Sequence, residues 1–145
     1  MENDKKAIEG CWISLILRLA VASIFTATAV EKFRHGFAGL DGIVTFFQNA
    51  FKDTWLPLPL VRIHARIVPF AEALIPIWLI VGVKLRFAWV FTAFFMTTLA
   101  FGMMVAKEYA TAASNYLYVL ISCAGLYFSQ FDRLSADGCC SPKCD

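Results

Sequence analysis

The chain has 145 residues, of which 59% are hydrophobic and only 17% are charged, and 14 of them are phenylalanine. This length suits a single domain, and the charged fraction lies below the quarter that is usual in soluble domains. A soluble protein of this size could not cover so much apolar surface, so we expect lipid to cover part of it. A net charge of +2 gives no indication of nucleic-acid binding, which requires a strongly basic surface.

The first predicted membrane span covers residues 11–30, close to the length of about 20 residues that a transmembrane helix needs. No small-residue cleavage site follows it, because Glu31, Lys32 and Phe33 come next. We therefore expect a retained span rather than a cleaved signal peptide. Arg18 lies inside this span, in a row of small and polar residues at four-residue spacing. Such a row indicates a helix face that points into the bundle.

A long connection, residues 31–62, follows the first span. Between residues 40 and 52 the apolar side chains recur at helical spacing and polar side chains occupy much of the other side, which predicts a short amphipathic helix on the membrane surface. A loop helix packed over the mouth of the bundle is an alternative, and both interpretations can hold together. The connection ends in a segment where Pro57 and Pro59 are expected to prevent a regular helix.

Three more apolar segments follow the long connection. They predict an all-α fold, a transmembrane four-helix bundle with a short amphipathic surface helix between the first and second spans. We expect residues 1–131 to form the membrane domain and residues 132–145 to form a polar tail that contains cysteines. The second, third and fourth predicted spans cover residues 63–83, 87–106 and 112–131.

Basic residues in short loops predict the orientation of the bundle, since such loops stay in the cytoplasm. Lys5, Lys6, Lys84 and Arg86 all lie on the side that holds both termini. We therefore expect both termini to be cytoplasmic, in a bacterial inner membrane, with the long connection on the opposite side.

Ionisable residues inside the spans are the candidate functional groups, because a charge in the bilayer costs about 2.5–3.5 kcal/mol unless it is paired or neutralised. Glu72 lies near the middle of the second span. Depth along antiparallel helices predicts that Arg18 pairs with Glu72 and that Glu31 pairs with Arg66. The pairs could simply hold helices together, or Glu72 could bind a proton, a quinone head group or another small polar ligand. Both hypotheses stay open for Glu72, whereas we expect a structural role for Arg18.

The C-terminal tail contains three closely spaced thiols, Cys139, Cys140 and Cys144, and Cys11 lies on the same side of the membrane. Such a group could bind a soft metal, zinc or copper(I), or exchange with another disulfide. The alternative is a set of free thiols that stay reduced in the cytosol. Cys123, in the fourth span, is interpreted as a small packing residue.

The only two histidines, His35 and His64, flank the long connection. Two such side chains could ligate a metal or a haem. Because neither lies deep enough to hold a haem within the bundle, we interpret both as ordinary interfacial histidines.

The order of short motifs along residues 14–130 resembles the DoxX-like family of four-helix membrane proteins, which includes relatives of the small thiosulfate:quinone oxidoreductase subunit and of the MauE proteins. The resemblance implies a four-helix bundle with Arg18, Lys32 and Glu72 at its characteristic polar positions. It also implies a link to redox or sulfur metabolism, often beside an electron-transfer partner. The motifs are Leu-Arg-Leu-Ala at 17–20, Glu-Lys-Phe at 31–33, Pro-Phe-Ala-Glu at 69–72, Leu-Ile-Val-Gly-Val at 79–83 and the basic turn at 84–86.

Three functions are compatible with these features. The first is a redox-associated membrane subunit that acts with a partner oxidoreductase near the quinone pool, with a possible quinone contact and with Glu72 and Arg18 binding or passing protons. The chain shows no covalent haem motif, nucleotide-binding loop or catalytic triad, so we do not expect a complete enzyme. The second is an accessory or structural subunit of a larger membrane complex. The third is soft-metal binding or transport through the cysteine tail.

Overall fold

The computed structural model describes residues 2–34, 36–132 and 134–136. His35 and the tail cysteines Cys139, Cys140 and Cys144 lie outside them. The described residues form helices and no strand, which confirms the predicted all-α fold. The helices are α1 (Glu2–Phe33), α2 (Gly36–Phe51), α3 (Leu58–Val81), α4 (Leu85–Val105) and α5 (Tyr109–Phe128), followed by a 3₁₀ turn at Ser129–Phe131.

Four of these helices are long and form the bundle, in which α1 packs mainly on α3 and α4 packs mainly on α5. Three of them are long and apolar enough to cross a membrane, over Lys5–Phe33, Leu58–Val81 and Leu85–Val105. The fourth, α5, has a spanning length of 20 residues, but Ser114 and Asn115 make its first half more polar.

The interior of the bundle is a narrow apolar core, and much of the outer surface is apolar as well. Val21, Ile75 and Trp89 are almost completely buried. Large side chains such as Ile77 and Phe94 are more than 60% exposed on the outside. An outer surface of this kind needs lipid around it, because the helices pair nearly all of their own backbone polar groups while the apolar side chains face outward. The chain is an integral membrane protein.

The start of α3 corrects one prediction. Pro57 is the N-cap of α3 and Pro59 lies in its first turn, so the expectation that the two prolines prevent a helix was wrong from Leu58 onward. The first backbone N–H groups of a helix have no partner within it, so a proline there removes no hydrogen bond and its fixed φ suits the helix.

The short helix α2 is amphipathic, as predicted. Val44 and Phe51 are buried, whereas the polar residues Asp41, Thr45 and Asn49 are exposed, with Phe46 as an exposed apolar exception. The buried side packs against α3 and α1. The helix therefore lies against the bundle, as the packed-loop interpretation requires.

The antiparallel helices give the bundle two ends. The termini end contains the start of α1, the α3–α4 turn and the 3₁₀ turn; a Cβ atom on Gly10 would lie 2.7 Å from Cγ of Phe131. The loop end contains the end of α1, α2, the start of α3 and the α4–α5 connection.

Candidate functional site

A buried ion pair at the termini end joins Arg18 to Asp132. Arg18 Nη1 lies 3.0 Å from Asp132 Oδ2, and the two side chains are only 4% and 1% exposed. The Ser14 hydroxyl donates to the same oxygen at 2.7 Å, and the backbone N–H of Leu134 donates to Oδ1 at 2.9 Å. Both carboxylate oxygens therefore have donors, and the packed part of the chain continues past Phe131.

The same guanidinium closes the end of α3. Arg18 Nε donates to the carbonyl of Leu79 at 2.8 Å and Nη2 donates to the carbonyl of Ile80 at 2.7 Å. Carbonyls in the last turn of a helix have no donor from within the helix, and a positive charge there also stabilises the negative end of the helix dipole. Arg18 thus serves as a side-chain cap for α3.

Gly82 makes room for this cap. Its φ of +72° is the left-handed conformation that ends α3. A Cβ atom there would lie 2.8 Å from Arg18 Nη2 and 2.7 Å from the Cβ of Ser135. Both the backbone conformation and the close approach of the guanidinium favour glycine at this position.

The predicted pairing of Arg18 with Glu72 was wrong, because Arg18 pairs with Asp132. The guanidinium lies level with Leu79 and Ile80, and Glu72 is about 10 Å further along α3 at 1.5 Å per residue. The sequence did offer one signal for the true partner: Asp132 is an acidic residue directly after the last span, at the same end as Arg18.

A second buried ion pair joins the end of α1 to the middle of α3. Lys32 Nζ donates to Glu72 Oε2 at 2.5 Å, and the two side chains are 25% and 9% exposed. Side chains lean toward the N-terminus of their own helix, and α1 and α3 are antiparallel. The lysine and the glutamate therefore lean toward each other, which lets them meet although their backbones lie at different depths.

The Lys32–Glu72 pair has few other partners. Among the described contacts, Glu72 Oε1 has no donor, and the Lys32 ammonium makes only the bond to Oε2. Pro69 and Pro76 lie within α3 on either side of Glu72, and Pro76 lacks the N–H that would bind the carbonyl of Glu72. This pair therefore keeps hydrogen-bonding capacity that could hold an exchanging proton or a polar ligand group.

Glu31 and Arg66 do not join this centre. Both side chains are exposed, and no ion pair connects them within the described part of the chain, so placing them in a second buried pair was wrong. Each residue is adjacent to one that faces inward, Lys32 and Ala65, and one residue turns a helix by about 100°. Arg66 instead lines a cavity of about 220 Å³ between α2 and α3.

The two described cysteines are both free. Cys11 is half-buried in α1, and Cys123 is exposed on α5, so the interpretation of Cys123 as a packing residue was wrong. The described residues contain no group of three potential metal ligands. The predicted soft-metal site depends on tail residues that lie outside the described part.

A comparison with protein families matches the part of the chain that contains most of the residues of this site. The DoxX family model matches residues 13–105, a range that runs from α1 to the end of α4. It includes Arg18, Lys32 and Glu72, whereas Asp132 lies beyond it. Searches of curated proteins and of solved structures found no match to this chain.

Proposed function

Because the chain belongs to the DoxX family of membrane proteins, we propose that it is a membrane subunit that works beside a partner oxidoreductase near the quinone pool. Lys32 and Glu72 are its proton-carrying pair. The observation that carries this proposal is the mostly buried contact of 2.5 Å between Lys32 Nζ and Glu72 Oε2. An ionisable residue inside a membrane protein is by default a candidate for function.

The chemistry of the pair suits proton exchange. A carboxylate can accept a proton and an ammonium can donate one, and Glu72 and Lys32 are already in hydrogen-bond contact. The partly exposed Lys32 side chain gives the proton a route to the surface. A neighbouring quinone reaction, which takes up or releases protons, could therefore be coupled to this pair.

Arg18 has a different role in this proposal. A guanidinium stays protonated in proteins, so it is a poor proton carrier. Its hydrogen bonds to α3 and to Asp132 support a structural role, and the proton function is assigned to Lys32 and Glu72 alone.

Replacement of Glu72 by Gln tests the proton role, because Gln keeps the shape of the side chain and cannot carry the proton. The oxidoreductase that copurifies from native membranes is assayed for quinone-linked turnover, with the variant as the sole copy of the chain. We expect turnover to fall by about a hundredfold, the lower range for loss of a general acid or base. Glu31→Gln, which neutralises the exposed carboxylate next to Lys32, is the matched control and should retain normal turnover.

Two results would redirect the proposal. Normal turnover with Glu72→Gln would remove the proton role. If deletion of the chain lowers the amount of assembled partner complex and leaves turnover per complex unchanged, the chain is an accessory or structural subunit instead.

We also propose that the termini end faces the cytoplasm of a bacterial inner membrane. Lys5, Lys6, Lys84 and Arg86 are exposed at this end, as expected for cytoplasmic loops. Single-cysteine variants at Lys84 and Lys107, in a background without other cysteines, test this with a membrane-impermeant maleimide. Intact spheroplasts should label the variant at 107 and protect the one at 84; the reverse pattern would invert the orientation.

A further inference from the structure

A cavity of about 570 Å³ lies at the loop end, bounded by α2, the α2–α3 connection, the start of α3, the second half of α4 and one residue of α5. This volume is within the range of small-molecule binding sites. Its walls are mostly apolar, with aromatic side chains on several sides. The aromatic lining residues are Phe47, Phe51, Trp55, Phe94, Phe101 and Tyr116.

The cavity opens toward the surrounding lipid. Trp55 and Phe94, which line it, are 75% and 73% exposed, and Leu60 is 57% exposed. Side chains that both line a cavity and face outward form the rim of an opening. A molecule dissolved in the bilayer could therefore enter sideways without crossing the bundle.

His64 offers a polar group with free hydrogen-bonding capacity in this cavity. Its half-buried ring lines the wall and makes no hydrogen bond with a described residue. The hydroxyls of Thr97 and Thr98, also in the wall, already donate to the carbonyls of Ala93 and Phe95. A neutral imidazole offers one N–H donor and one acceptor nitrogen, so His64 can bind a carbonyl or a hydroxyl oxygen of a ligand.

The lining selects among the lipids that could enter. Among the described residues that line the cavity there is no lysine, arginine, aspartate or glutamate, so a phosphate or carboxylate head group would lose its hydration without gaining a counter-charge. An acyl chain would fill the space and leave His64 without a partner. Aromatic walls favour a flat ring in offset-stacked or edge-to-face packing. A neutral ring that bears oxygen atoms and an apolar tail needs no counter-charge, can bind His64 and can pack against the aromatic walls.

We propose that this cavity binds the ring of a membrane quinone or quinol, with His64 hydrogen-bonded to one of its ring oxygens. The inference rests on the proposed function, since it identifies the quinone that the partner reaction would share with this chain. His64 and Glu72 are about 12 Å apart along α3 at 1.5 Å per residue. The quinone site and the proton pair can therefore be tested separately.

Two substitutions distinguish a real site from partition into lipid. His64→Leu removes the hydrogen-bonding ring and keeps an apolar wall. Gly102→Leu fills the cavity: Gly102 lines it, and a Cβ atom there would lie 3.6 Å from Phe51 Cζ, an ordinary contact. Phe87→Leu, at an exposed apolar position near the termini end, is the matched control.

Binding is measured by equilibrium titration of the purified chain in phosphatidylcholine nanodiscs with decylubiquinone and with a short-chain menaquinone. We expect one saturable equivalent of at least one of them, an affinity about tenfold lower for His64→Leu, no saturable binding for Gly102→Leu and unchanged binding for Phe87→Leu. The tenfold change corresponds to the loss of one net hydrogen bond.

Other outcomes would overturn the inference. Uptake that rises linearly with quinone, as in empty nanodiscs, means partition only. Equal affinity in all variants places the quinone elsewhere, and displacement of bound quinone by a fatty acid at similar concentration identifies an acyl-chain site.

If quinone binding fails while Glu72→Gln still lowers partner turnover, the cavity proposal fails and the proposed function stands. If binding follows the expected pattern while Glu72→Gln has normal turnover, the proton role fails alone.

Discussion

The two ends of the bundle each hold a buried ion pair that involves α1, and the two pairs differ in how many hydrogen bonds surround them. At the termini end, Arg18 and Asp132 bind each other, two carbonyls of α3, the hydroxyl of Ser14 and a backbone N–H. Toward the loop end, Lys32 and Glu72 are joined by one hydrogen bond. Two buried pairs in one bundle thus differ in how completely they are hydrogen-bonded, and we propose that this difference, more than burial, separates their roles.

The helix α3 connects the two regions and explains why they differ. Its C-terminal carbonyls need donors, and Arg18 supplies them. Its middle contains Pro69 and Pro76, which lack the N–H groups of other residues, and among the described residues Lys32 is the one hydrogen-bond donor to the Glu72 carboxylate. One end of the helix is held in a single arrangement, whereas its middle retains polar groups that are available to a proton or ligand.

The largest effect should come from breaking the pair at the termini end. Asp132→Ala leaves the Arg18 guanidinium buried without a counter-charge, and loss of one partner of a buried pair costs about 3–5 kcal/mol. We expect the free energy of unfolding in mild detergent, measured by chemical denaturation, to fall by that amount. Glu2→Gln removes half of the exposed Glu2–Lys6 pair and should change stability little, as exposed pairs generally do.

A loss of stability for Asp132→Ala that is no larger than for Glu2→Gln would contradict this comparison. It would mean that water reaches Arg18 and that the pair is not a closed structural contact.

A smaller effect is expected at Gly82, and a second glycine provides its control. Gly82→Ala and Gly36→Ala both place a Cβ atom on a left-handed backbone, with φ of +72° and +59°, which costs about 1–2 kcal/mol. Only Gly82 is crowded, by Arg18 and Ser135; a Cβ atom on Gly36 meets nothing within 4 Å. The same unfolding measurement should therefore show a larger loss for Gly82→Ala. Equal losses would show that Arg18 does not need its close approach to α3.

The helices could be predicted from the sequence because long apolar segments are visible without knowing their neighbours. The first turn of α3 was missed because Pro57 and Pro59 were judged by the rule for helix interiors, although the first turn tolerates proline. Predicted spans at 11–30 and 63–83 likewise began later than α1 and α3, since hydropathy marks the apolar part of a helix and not its polar or proline-containing start.

The site could be predicted only in part. Arg18 and Glu72 were conspicuous because charges inside apolar segments are rare. Their partners depend on the relative depth of antiparallel helices, which differs by several residues between plausible packings. The positions of Asp132 after the last span and of Lys32 at the end of the first were therefore not enough to decide which charges meet. Asp132 was missed because an acidic residue in a polar segment is unremarkable until Arg18 is placed beside it.

The smallest change in stability should come from removing both charges of the second pair at once. The double variant Lys32→Met/Glu72→Gln leaves no unpaired buried charge, and replacing both partners of a buried pair is often nearly neutral. We expect the free energy of unfolding to change by less than about 1 kcal/mol, while quinone-linked turnover of the partner is as low as with Glu72→Gln alone.

The matched variant Arg18→Met/Asp132→Leu should stay strongly destabilised, because the carbonyls of α3 that Arg18 caps lose their donors as well. If both double variants were equally stable, the two pairs would be alike in structure; if Lys32→Met/Glu72→Gln kept normal turnover, the second pair would be structural too. A stable but inactive Lys32→Met/Glu72→Gln protein would separate the two ends, because it shows a pair that the fold can lose and the activity cannot.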